Sequence, residues 1–220
     1  MAIQIQGFTG GVIADVDGTT FRALRVTNRP LEYGALGHYR LSTGVILVAT
    51  QAANGTLFSF RWGNASNFCI PLFIRLEHLQ SAAATATIAD SFQIFIARSF
   101  TASDSAGTAI TLTGNNMKKR TNMGTTLVTD IRRSAVAAGL TVGTRTLDAD
   151  PILDMAVVQT ITTINPTTYR KEVDFTNSGD MPLVFAQNEG FIVRGPTVVY
   201  GAAGASTLFV DMAWAEVASY

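Results

Sequence analysis

A chain of 220 residues with 16 acidic and 16 basic side chains carries no formal net charge, and only 15% of its residues are charged, against roughly 25% in ordinary soluble domains. That balance argues against a nucleic-acid partner, which calls for a basic excess or stripe. Cys69 is the only cysteine, which rules out an intrachain disulfide, and the apolar runs are broken by Arg75, Glu77 and Arg98 well short of the roughly 18 residues of a membrane helix.

The length suits one all-β domain, large enough to bury a core without covalent staples. Residues 1–20 are rich in glycine and alternate little beyond Ile3 and Ile5. They read as an extended N-terminal arm that orders against a neighbour, followed by a single domain over residues 21–220. No positively charged segment precedes an apolar stretch, so no signal peptide is expected.

Short strand signals then follow one another, separated by Gly, Asn, Ser and Asp. Gly44–Thr50 is rich in β-branched residues, and Thr56–Trp62 follows the turn-forming pair Asn54-Gly55. Phe68–Leu79 is long and apolar, with Leu72, Ile74 and Leu76 on one face and Arg75 and Glu77 on the other. Pro71 cannot donate to a ladder, so this strand is expected at an edge or bulged at that point. Ser91–Phe100 sets Phe92, Ile94 and Ile96 on one side. Weaker strand signals lie at Ala109–Thr113, Ile152–Ile164, Thr168–Phe175, Leu183–Ala186 and Phe191–Arg194. In Thr207–Val217, Leu208, Val210, Met212 and Trp214 share a face, and a strand so apolar belongs in the middle of a sheet.

One helix is expected, over Thr126–Gly139, where Leu127, Ile131, Ala135 and Ala138 are helically spaced, Asp130 and Arg133 are spaced as an ion pair, and Gly139 offers a stop. Without a strand–helix–strand alternation a doubly wound sheet is disfavoured. Many short strands and at most one short helix predict an all-β, jelly-roll-like β-sandwich.

Several fragments imitate catalytic motifs. Asp15-Val16-Asp17-Gly18-Thr19 matches the first motif of the haloacid-dehalogenase-type phosphatases, but that chemistry also needs a lysine and further metal-binding aspartates at parallel strand ends, so a turn is the simpler account. The same fragment lacks the glutamate that closes a calcium loop. Asp148, Asp150 and Asp154 read as solvated turn acids before they read as a cation site. Cys69 sits in an apolar run, as a buried thiol does, and His38 and His78 are the only histidines from which a thiol or serine site could be built. A glycosidase needs only a carboxylate pair, for which Glu32, Glu77, Glu172, Glu189 and Glu216 are available. Met117-Lys118-Lys119-Arg120 and Arg132-Arg133 are the densest basic stretches; they lack interleaved aromatics and read as solvated loop, or as partners for acids on a neighbour. Two formal glycosylation sequons, at Asn54 and Asn64, are read as turns. No catalytic, cofactor-binding or metal-ligating residue is assigned, and no cofactor is expected.

Three stretches carry a resemblance together: Arg29-Pro30-Leu31-Glu32-Tyr33-Gly34-Ala35-Leu36-Gly37-His38-Tyr39; Ile96 to Thr101 running through Leu112-Thr113-Gly114-Asn115-Asn116 to Arg120-Thr121-Asn122-Met123; and Ala186-Gln187-Asn188-Glu189-Gly190-Phe191-Ile192-Val193-Arg194 with the closing Trp214-Ala215-Glu216-Val217. In order and spacing the chain resembles a family of small virion structural proteins of tailed bacteriophages. The resemblance implies a head decoration (cement) protein or another minor capsid or tail component, a β-sandwich with three-fold or higher symmetry, and no catalytic residues. The expectation is therefore a non-enzymatic protein of the virion, assembled in the bacterial host cytoplasm. Its partners would be its own copies, as a homotrimer, and the major capsid protein or other virion proteins. The alternatives are a tail or head-fibre component that binds a host glycan, and a small carboxylate-pair hydrolase.

Overall fold

The computed structural model describes residues 36–47, 51–80, 82–84, 87–161, 168–176, 182–197 and 206–218. The expected N-terminal arm and the Asp15–Asp17 fragment lie outside them. The described strands are β1 (Gly37–Leu47), β2 (Thr56–Trp62), β3 (Phe68–Gln80), β4 (Ile88–Arg98), β5 (Thr108–Ala109), β6 (Asp130–Arg133), β7 (Thr146–Leu147), β8 (Leu153–Gln159), β9 (Thr168–Asp174), β10 (Glu189–Arg194) and β11 (Ser206–Val217).

They form two antiparallel sheets. One has the order β1-β11-β3-β9; the other runs β5-β6-β2-β10-β4-β7, with β8 also paired to β4. Setting aside the three short strands β5, β6 and β7, the orders 1-11-3-9 and 2-10-4-8 place two interlocked Greek keys face to face, the arrangement of a jelly roll. The long β4–β8 connection, residues 99–152, supplies all three short strands. It lays β6 along β2 and β7 along the end of β4.

Alternation along each strand fills the space between the sheets. Leu208, Val210, Met212 and Trp214 of β11 meet Phe58, Phe60 and Trp62 of β2, Phe92, Ile94 and Ile96 of β4, Met155 and Val157 of β8, and Phe191 and Val193 of β10 in one buried cluster. Each fully buried side chain of this size contributes about 1.5–3 kcal/mol. Phe60 meets Trp214 across the sheets edge to face, with centroids 5.5 Å apart, and Trp214 stacks on Tyr39 at 5.6 Å. As expected from its apolar sequence, β11 is an internal strand.

Pro71 does not put β3 at an edge, because the strand is internal and bulged there. Ala213 lies opposite Phe73 while Trp214 lies opposite Pro71, so Leu72 is the extra residue. The bulge inverts the alternation. Before it Cys69 faces the core, and after it Ile74 and Leu76 do. Leu72 therefore leaves the face assigned to it and joins Ile70, Ala213, Ala215 and Val217 in a second buried cluster.

The helix expected over Thr126–Gly139 is not formed; the described residues contain none. Thr126–Val128 belong to no helix or strand, β6 follows, and Ile131 is wholly buried in the core. The open side of β2 supplies a ladder for Asp130–Arg133, and this tertiary pairing overrides the weak helical spacing. Arg132, rather than Arg133, then pairs with Asp130, at 2.6 Å, because residues two apart share a strand face. Gly139 ends no helix: it has φ +79°, and a Cβ there would lie 2.9 Å from the Thr56 carbonyl oxygen.

Candidate functional site

Three polar groups hold the long connection, two of them on strands of the sandwich and one within the connection itself. Glu216 follows Trp214 on the core side of β11 and is fully buried. Its carboxylate accepts hydrogen bonds from the Thr126 hydroxyl, from the Leu127 N–H at 3.0 Å and from Trp214 Nε1 at 3.1 Å. Burial raises its pKa, and the donated bonds pull it back. The second, the buried Asp104, forms an ion pair with Arg145 and accepts the Gly143 N–H at 2.8 Å. Arg145 also donates to Thr56 Oγ1 at 3.0 Å and lies over the Phe100 ring, and burial lowers its pKa to about 10. The third is Arg61 of β2, which donates to the carbonyls of Phe100 (2.6 Å) and Thr101 (2.7 Å).

So held, the connection turns back over the outer edge of β1. The Arg40 N–H donates to the Met117 carbonyl at 2.8 Å and the Lys119 N–H to the His38 carbonyl at 3.1 Å. Further along the same edge Arg133 donates to the Gly44 carbonyl at 2.7 Å. Between these two caps opens a cleft of about 670 Å³, within the range of ligand sites. One wall is Leu41–Thr43 of β1 and the other is Thr108–Thr111, with Phe73, Arg75 and Asp211 on the floor. Arg75 is held by Asp211 at 2.9 Å and lies 3.6 Å from Glu172. Arg40 and Arg133 also line the cleft, and Lys118, Lys119 and Arg120 come directly after its lining residue Met117 in the chain. Arg40 and Arg133 thus give this corner a positive charge that no acid but Asp211 shares among the lining residues. His38, beside it, has its pKa lowered by burial and by Lys119 and Arg120.

The other candidates do not converge. Cys69 is buried in the core and burial raises its pKa well above the ordinary value. His78 is fully buried against Phe92 (5.5 Å) and Tyr169 (6.2 Å), and burial lowers its pKa to about 4. Asp148 accepts from Arg98, and Asp154 from Gln93. Glu189 pairs with Arg98 at 2.5 Å, and Glu172 with the arginines of its own sheet. Among the described residues no three His, Cys, Asp or Glu side chains are grouped to hold a metal ion. Glu32 lies outside those residues. Sequence reasoning singled out Arg75, Arg133 and Lys118–Arg120 but missed Arg40 and Ser42, which the alternation of Tyr39-Arg40-Leu41-Ser42 would have placed on a strand.

Comparison with known protein families, with characterised proteins and with solved structures finds no match to this chain.

Proposed function

We propose that the protein is a structural component of a bacteriophage virion: a non-enzymatic capsid decoration protein, acting as a homotrimer that bridges and stabilises capsid subunits. The observation that carries this reading is the sparse and balanced charge of the chain, 16 acids against 16 bases in 220 residues, part of it neutralised locally. Arg75 is matched by Asp211 and Glu172, Arg98 by Asp148 and Glu189, Arg132 by Asp130 and Arg145 by Asp104. A body with few charges and no formal net charge presents little overall field, so identical copies can pack with little mutual repulsion. The long connection suits the role of contact element. Three of the four large apolar side chains left exposed among the described residues, Val136, Val142 and Leu147, lie on it. Many weak contacts on one shell add by avidity, so no single large interface is required.

Quantifying the chain in purified particles tests this reading. Hundreds of copies per particle support decoration, and a dozen or fewer would place it in the tail or a head fibre. The purified protein should scatter light as a trimer and bind undecorated shells. A monomer at high concentration that never attaches to a shell would overturn the proposal.

A further inference from the structure

Two sheet edges meet at the cleft, and no described residue closes either of them there. In an antiparallel strand the N–H and C=O of alternate residues point to opposite sides. The bonds from Arg40 to Met117, from Lys119 to His38 and from Arg133 to Gly44 show that the even-numbered residues of β1 direct these groups away from β11. Ser42 lies midway between the caps and faces Asp211 in the ladder. Its outward N–H and C=O pair with no described residue. Across the cleft β5 is the terminal strand of the other sheet. Natural proteins cover or blunt such edges. Here described residues cover the edge on both sides of Ser42 and none covers it at Ser42.

The geometry points to a strand-capture site: an extended acidic segment of another polypeptide adds to β1 at Ser42, lying between β1 and Thr108–Thr111. Main-chain bonds to Ser42 supply the register, as in other strand-addition complexes. The charge of the cleft selects the occupant. Arg40 and Arg133 line it, Lys118–Arg120 come directly after the lining residue Met117, and the one acid among the lining residues, Asp211, is already matched by Arg75. An arginine fork receives a carboxylate bidentately, whereas a chain carrying lysines would meet like charge on both walls. A glycan is less well served. The one aromatic ring of the floor, Phe73, has the Arg75 guanidinium 5.8 Å above it and offers no open stacking platform. This site does not depend on the virion reading, because copy number in a particle and peptide capture in solution are measured separately.

The test titrates the full-length protein with three labelled peptides about eight residues long, near the length of a typical strand. One alternates Asp and Val, one alternates Lys and Val, and one is the Asp–Val peptide with proline at alternate positions, which cannot complete a ladder. The Asp–Val peptide is expected to bind, to protect the Ser42 amide from hydrogen exchange, and to weaken by about tenfold or more in Arg40→Glu. Ser42→Pro, which removes the edge N–H, should weaken it comparably while leaving the thermal transition in place. Equal binding of the proline peptide, equal binding of the Lys–Val peptide, or no binding at about 1 mM would each overturn the proposal. So would tighter binding of dextran sulfate without protection of Ser42, which would mark a site for anionic glycans.

Discussion

The hydroxyl of Thr126 donates to the carboxylate of Glu216 across 90 residues of sequence, and neither group reaches solvent. Through this bond the last strand of the jelly roll holds the segment that later becomes β6. Glu216 lies on the interior side of β11, where Leu208, Val210 and Met212 are apolar. It is tolerated because three donors converge on it.

Replacing Glu216 by Gln keeps the size but leaves one acceptor oxygen and an amide that cannot accept from any of those donors. The cost is expected to be about 1–3 kcal/mol, read as a lower urea midpoint. Hydrogen exchange should quicken at Leu127 and Val128 before it does in β3. Thr126→Val removes one donor and is expected to cost less, about 1 kcal/mol. If E216Q unfolds at the wild-type midpoint, the carboxylate does not anchor the connection.

The pair formed by Asp104 and Arg145 is the most buried ion pair described, with side-chain exposures of 0% and 3%. Removing one partner strands a charge away from water. Asp104→Ala and Arg145→Ala are therefore each expected to cost about 3–5 kcal/mol. The double variant Asp104→Leu/Arg145→Met should lose far less than the sum of the two, since it leaves no unpaired charge. A double-mutant cycle by urea denaturation measures this, and simple additivity would remove the argument.

Most of the sandwich could be read from the sequence because its strands bury one face and so alternate. Thr56–Trp62 and Thr207–Val217 are found nearly at their expected bounds, and Asn54 takes its turn with φ 56°. What was not legible depended on partners distant in sequence. Asp130–Arg133 is a strand because β2 offers an open side, and Leu72 leaves the core because Trp214 pairs with Pro71. The cleft is in the same position. Arg40, Ser42 and Arg133 come together only when the long connection is folded back over β1, and no local pattern announces that.

Gly190 is the second residue of β10, which lies between β2 and β4. A Cβ there would run directly into the carbonyl of Phe60, a backbone atom in an internal strand that has nowhere to move. Gly190→Ala should therefore cost about 1–3 kcal/mol, as overpacking does where relief needs a backbone shift. Ala at Gly124, where nothing lies within 4 Å of the added carbon, should be nearly neutral. Thermal midpoints of the two variants give the comparison, and similar midpoints would contradict the close approach of β10 to β2.

His78 gives the fold a pH dependence of defined sign. Burial between Phe92 and Tyr169 lowers its pKa from 6.5 to about 4. The folded chain keeps the ring neutral while the unfolded chain protonates it. Between these values the unfolded state binds the extra proton, so stability falls as the pH drops from about 6.5 toward 4 and is flat beyond either end. A lowering of that size is worth about 3 kcal/mol. His78→Phe puts a ring of similar size into the same stack and removes the titration. Urea midpoints taken at about pH 7 and about pH 4.5 should then differ less in the variant than in the wild type, the gap reflecting His78 alone. His38, whose pKa is also lowered, acts in the same direction, and Glu216, whose pKa is raised, acts in the opposite one; both contribute equally to the two proteins and cancel in the comparison. Parallel curves for the wild type and His78→Phe would mean that the histidine is not held neutral by the fold.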